Sequence, residues 1–188
     1  GHRITGSRYD FRPSDPRGRV LPGQDEPELG SCESCHGSMP HPGLAGIRLD
    51  RHAEVIACTG CHVPEIARGG VATKVWWDWS TAGRLDDEGE PYVVRDAQGN
   101  PVYDTKKGTL RWAEHLVPEY RWYDGDLVYT LPGERIDPQG VVHLNRISGD
   151  PADPRARIWP FKTMRGRQPY DVERECCRRR GSAGGSTA

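Results

Sequence analysis

Hydrophobic and polar positions follow a regular period in only a few short stretches of this chain. Residues 1–30 mix Pro, Gly and Arg with little periodicity and read as an extended covering segment. Leu49-Asp50-Arg51-His52-Ala53-Glu54-Val55-Ile56-Ala57 is predicted to form a short helix, with Asp50 as its N-cap. Farther on, Tyr92-Val93-Val94 and Pro101-Val102-Tyr103 flank Gln98-Gly99-Asn100 and predict a β-hairpin. Leu127-Val128-Tyr129-Thr130 and Val141-Val142-His143-Leu144 suggest a second pair of short strands. The end, from Cys176-Cys177-Arg178-Arg179-Arg180 into Gly, Ser, Ala and Thr, has the composition of a disordered tail. The pattern divides the chain into 1–69, 70–171 and 172–188.

Composition sharpens this picture. Only 35% of residues are hydrophobic, mean hydropathy is −0.77, and there are 23 glycines and 16 prolines. A chain of 188 residues ordinarily buries a larger apolar core. Six Trp and seven Tyr argue against disorder for most of the length. A core completed by a large apolar cofactor reconciles the two. Net charge is −1, so no global field points to nucleic acid, and no apolar run is long enough to span a membrane. Charge is nevertheless uneven, with nine basic and four acidic residues from Pro151 to Arg180.

Two pentapeptides supply the candidate chemistry: Cys32-Glu33-Ser34-Cys35-His36 and Cys58-Thr59-Gly60-Cys61-His62. Cys-x-x-Cys-His is the attachment motif of c-type haem. The spacing of Cys32 and Cys35, and of Cys58 and Cys61, suits thioether bonds to the two porphyrin vinyl groups. His36 and His62 are then placed as proximal iron ligands. Two haems c in this chain are therefore expected. Paired Cys-x-x-Cys motifs also hold structural zinc, and a lone pair can act as a redox dithiol, but neither needs a histidine directly after the second cysteine.

The other histidines are candidates for the opposite face of each iron. His41 lies five residues after His36, so reaching the far side of its own haem would take about 17 Å of extended backbone. His52, six residues before Cys58, meets the same constraint. Both are expected to ligate haems other than the one nearest in sequence, with His2 a further candidate. Tryptophan-rich stretches around Trp76-Trp77-Asp78-Trp79, Trp112, Trp122 and Trp159 are expected to stack on porphyrin or on one another. Arg155, Arg157, Lys162, Arg165 and Arg167 could guide small anions or neutralise haem propionates, or form a solvated basic face.

Ala57-Cys58-Thr59-Gly60-Cys61-His62-Val63-Pro64-Glu65-Ile66-Ala67-Arg68 and Ala72-Thr73-Lys74-Val75-Trp76-Trp77-Asp78-Trp79-Ser80-Thr81-Ala82-Gly83 resemble the octahaem c-type cytochromes of the tetrathionate reductase family. The likeness continues through Pro118-Glu119-Tyr120-Arg121-Trp122-Tyr123-Asp124-Gly125, Ile158-Trp159-Pro160-Phe161-Lys162 and Gln168-Pro169-Tyr170-Asp171. The resemblance implies a multihaem cytochrome c fold: irregular, mainly loops and short helices around haems, with a few short β-hairpins in the haem-free region. It also implies a periplasmic oxidoreductase acting on small sulfur or nitrogen oxyanions such as tetrathionate or nitrite, with a protein redox partner. Family members use a haem with a lysine ligand as the active site. Neither motif here carries that lysine, and Lys74 or Lys162 could supply it. The chain is accordingly read as a fragment of an exported protein with further haems. The rival classes are a non-catalytic electron-transfer module and a zinc-stabilised interaction protein.

Covalent haem survives denaturing electrophoresis. Material from a host with cytochrome c maturation is expected to stain for haem peroxidase activity, and an unstained band would contradict the attachment.

Overall fold

The computed structural model describes Cys32, residues 36–154 and residues 156–177. Two helices come first, α1 (Gly43–Ala53) and α2 (Cys58–His62). β-Structure follows: β1 (Thr73–Asp78), β2 (Val93–Arg95), β3 (Pro101–Asp104), β4 (Gly108–Ala113), β5 (Glu119–Tyr123) and β6 (Leu127–Tyr129). It continues with β7 (Asn145–Ile147), β8 (Arg157–Phe161), β9 (Arg165–Arg167), β10 (Tyr170–Asp171) and β11 (Cys176–Cys177). The main sheet has the order β2-β3-β4-β1-β9, antiparallel except for the parallel β1–β9 edge. Two-stranded ribbons β5–β8, β6–β7 and β10–β11 complete the fold.

The first hairpin forms as its sequence predicts, with Val93 opposite Asp104 and Val94 opposite Tyr103. Its turn depends on Asp96, whose Oδ1 accepts the backbone N–H groups of Gln98 and Asn100 at 3.0 and 2.8 Å. Gly99 supplies the positive φ of 84° that closes the reversal. Asp86 repeats the device, accepting from Glu88 and Glu90 ahead of the next hairpin strand. The second pairing shifts from expectation. β6 pairs with Asn145–Ile147, and of the expected run only its end is engaged, Thr130 donating to the Leu144 and His143 carbonyls at 2.9 and 2.7 Å. The pair is anchored at its far end, where Asp124 N–H donates to the Ser148 carbonyl and Ser148 N–H to that of Asp126. Strand pairing also continues past Asp171, because Cys176–Cys177 forms β11 against β10; residues 178–188 lie outside the described residues.

The helix differs from its prediction as well. α1 begins seven residues before Asp50, after Pro42 in an extended conformation, and so includes Leu44, Ala45 and Leu49. Asp50 therefore lies inside the helix instead of capping it, and helix ends at Ala53, four residues short of Ala57.

Burial is sparse. Among the described residues the buried apolar side chains are Ala57, Tyr103, Leu110, Ala156 and Cys176, while Met39, Leu44 and Ile47 are exposed. Aromatic pairs carry much of the remaining packing. Trp77 and Trp79 stack with centroids 4.6 Å apart, and Tyr123 meets Trp159 and Phe161 edge-on at 6.0 and 5.4 Å. A β-bulge between Lys74 and Trp76 adds one residue to β1 and places Lys74 and Trp77 on one face. The Lys74 ammonium sits 4.0 Å from the Trp77 ring centroid.

Leu110, 2% exposed in the central strand β4, is the tightest apolar anchor. Leu110→Ala is expected to cost about 2–5 kcal/mol in denaturant unfolding of the intact chain. Val141→Ala, at a site 85% exposed, is expected to change stability by less than about 0.5 kcal/mol. Equal effects would contradict this placement of the core.

Candidate functional site

The second motif occupies α2, a single helical turn that places Cys58 and Cys61 three residues apart on one side and ends at His62. The ribbon β5–β8 holds this turn from behind. Ala57 N–H donates to the Ile158 carbonyl at 3.0 Å, and Ile158 N–H donates to the Val55 carbonyl at 2.7 Å. The Tyr120 hydroxyl donates to the Gly60 carbonyl at 3.3 Å. A Cβ at Gly60 would press on the Ile56 side chain, so the small residue inside the motif permits close docking. Cys61 and His62 remain exposed on the free side.

His41 reaches the same place from the chain before α1. Its imidazole is parallel to that of His62, with an interplanar angle of 6° and centroids 6.0 Å apart. Direct face-to-face contact would bring ring atoms to about 3.5–4 Å. The two imidazoles are therefore neighbours at the attachment turn. His41 is held by Asp50, whose Oδ1 accepts from its Nδ1–H at 2.7 Å and from its backbone N–H at 3.3 Å. Gly46 on α1 allows this approach, because a Cβ there would overlap the His41 carbonyl oxygen.

The residues present fit a haem c. Two thiols and a histidine have the attachment spacing, and a second imidazole stands parallel to the first. Exposed Met39, Leu44 and Ile47 cluster in sequence around His41 and offer apolar surface that a porphyrin could cover. Buried side-chain polar atoms without a partner among the described residues are Asp50 Oδ2, Thr59 Oγ1 and Trp159 Nε1. Asp50 grips His41, Thr59 lies inside the motif, and Trp159 follows the residue that docks it, so all three belong to this region.

The comparisons agree with that chemistry. The family model described as Cytochrome c bacterial matches residues 74–184. The chain belongs to this bacterial cytochrome c family. Covalently bound haem c is the cofactor that membership implies. The chain is also similar to a solved structure, the octaheme cytochrome c from Shewanella oneidensis, with 37% sequence identity and a TM-score of 0.64. That match covers 78% of this chain and 32% of the Shewanella chain, so this cytochrome spans about a third of that relative's length. No curated protein matches the sequence. Together these findings place the chain among multihaem cytochromes c, with few helices and several short strands.

The other candidate residues of this cytochrome are more scattered. Cys32 is half-buried and His36 exposed, both on helical backbone, whereas His2 and Cys35 lie outside the described residues. His52 is exposed in the last turn of α1. His115 pairs with Glu65 at 2.8 Å. Lys162 donates to Thr73 Oγ1 at 2.7 Å and to the Lys74 carbonyl at 2.9 Å. Burial, and then the neighbouring Lys74 charge, push its ammonium below the ordinary lysine range. Arg165 and Arg167 are exposed on the edge strand β9. Asp50 and Gly46 are the site residues that sequence reasoning did not find in these roles. A Gly and an Asp four residues apart on one helix face were the available signal.

Gly46→Ala is expected to displace the His41 segment and destabilise the chain by about 1–3 kcal/mol, as overpacking does. Thermal unfolding together with the His41 ring signals in NMR tests this. An unchanged melting temperature and unchanged signals would show that the contact is loose.

Proposed function

We propose that this cytochrome is the part of a multihaem oxidoreductase that relays electrons, with Cys58 and Cys61 carrying one haem c, His62 as its proximal ligand and His41 as its distal ligand. The observation that carries the reading is the parallel pair His41 and His62, 6.0 Å apart beside the two thiols of α2. This assigns His41 to a haem other than the one nearest in sequence. Cys32, Cys35 and His36 would hold a second haem, and His52 and His2 would serve as distal ligands to neighbouring haems.

Haem c, when bound, supplies a one-electron iron couple whose potential is tuned by axial ligands, hydrogen bonds and exposure. The protein's own work is to hold the His41 and His62 imidazoles parallel beside the thiols and to pin the attachment turn to β8. With His41 and His62 both holding the iron, no place would be left for substrate, which favours electron relay over substrate chemistry there. Reduction of a small sulfur or nitrogen oxyanion such as tetrathionate or nitrite would then take place at another haem of the complete protein. The resemblance to the tetrathionate reductase family supports that role, a periplasmic location and a protein redox partner.

In the haem-loaded protein, His41→Ala is expected to convert one haem from a low-spin to a high-spin absorption and EPR signal, with covalent haem content unchanged. Spectra identical to the parent's would contradict the assignment.

A further inference from the structure

Asp50 lies in the interior of α1, where aspartate is a poor helix former, and it is only 8% exposed. Burying a carboxylate is costly unless specific partners offset the loss of water. Both contacts of its Oδ1 go to one residue, the Nδ1–H and backbone N–H of His41 at 2.7 and 3.3 Å. Its Oδ2 is buried without a partner among the described residues. Among the described residues the carboxylate holds the ring and the backbone of His41 together.

We propose that Asp50 is a positioning residue that fixes the His41 imidazole and, through it, lowers the reduction potential of the haem on Cys58 and Cys61. This rests on the assignment of His41 as the distal ligand. A carboxylate can only accept, so it holds the hydrogen on Nδ1 and leaves the lone pair on Nε2, the nitrogen free to bind iron. The hydrogen bond also increases electron donation by the ring, as carboxylate–histidine pairs do at other metal centres. A stronger donor and a nearby negative charge both favour the ferric over the ferrous state. Gly46, one turn before Asp50 on the same face, lets the His41 backbone approach closely enough for both hydrogen bonds.

The test uses haem-loaded protein from a maturation-competent host, comparing the parent with Asp50→Asn, Asp50→Ala and His41→Ala. Asp50→Asn keeps the size and an acceptor but removes the charge. It is expected to leave every haem low-spin and to change the oxidised-to-reduced ratio of one haem about tenfold toward reduced, an upward shift of about 59 mV for a one-electron couple. Asp50→Ala is expected to give a high-spin fraction in the haem that His41→Ala makes fully high-spin. Equal covalent haem content and circular dichroism establish that the variants fold. If His41→Ala gives the high-spin signal while both Asp50 variants keep the parent's spin state and potentials, Asp50 has no such role. A downward shift in Asp50→Asn would also overturn it. If His41→Ala leaves all haems low-spin, the ligand assignment fails, and the role of Asp50 with it.

Discussion

Two backbone hydrogen bonds between Ile158 and the segment just before α2 hold the attachment turn against the β-rich part of the chain. They extend the edge of the β5–β8 ribbon by a single bridge between Ile56 and Ile158, so Cys58, Cys61 and His62 leave that edge in a fixed direction. A five-residue helical turn has no stability of its own. This bridge, with the Tyr120 hydroxyl on the Gly60 carbonyl, sets where the thiols and imidazole lie. The family match covers residues 74–184 and contains no Cys-x-x-Cys-His motif, yet its strands β5 and β8 are what the motif docks on. The β-rich region thus acts as a frame for the attachment turn.

The apolar content of the chain accounts for the way this frame is built. With few buried hydrophobic side chains, the β-region is held by strand pairing, aspartate-accepted turns and aromatic contacts. Lys162 ties the end of the β8 segment to the start of β1, and the bulged β1 keeps Lys74 over Trp77. The exposed apolar residues about α1 make a different statement, because Leu44 is 89% exposed on a helix whose inward stripe is Gly46 and Asp50. An amphipathic helix that packs on a protein core has the opposite arrangement. A porphyrin beside His41 and His62 would give such a surface its partner, at roughly 25 cal/mol for each Å² of apolar area covered.

Much of the site was legible in the sequence because its signal is local. Cys58, Cys61 and His62 are adjacent along the chain, and the first hairpin was marked by Gly99 between two alternating runs. The reach of an extended backbone made His41 a candidate ligand of another haem. What could not be read were relations set by tertiary contact. Asp50 has the composition of an N-cap, and only the earlier start of α1 turns it into a buried acceptor for His41. The shift of the second strand pair has the same origin. Val141–Leu144 is the more apolar run, but the pairing is anchored near Ser148 by Asp124 and Asp126 and places Asn145–Ile147 opposite β6. Local pattern proposed the strands, and contacts at their far ends chose the register.

The central claim is that His41 and His62 share one iron. A crystal structure of the haem-loaded protein measures this directly. The account predicts thioether density from Cys58 and Cys61 to one porphyrin, with iron bonded to a nitrogen of His41 and of His62 at about 2 Å on opposite faces. Iron capped opposite His62 by water, by a lysine or by another histidine would contradict it.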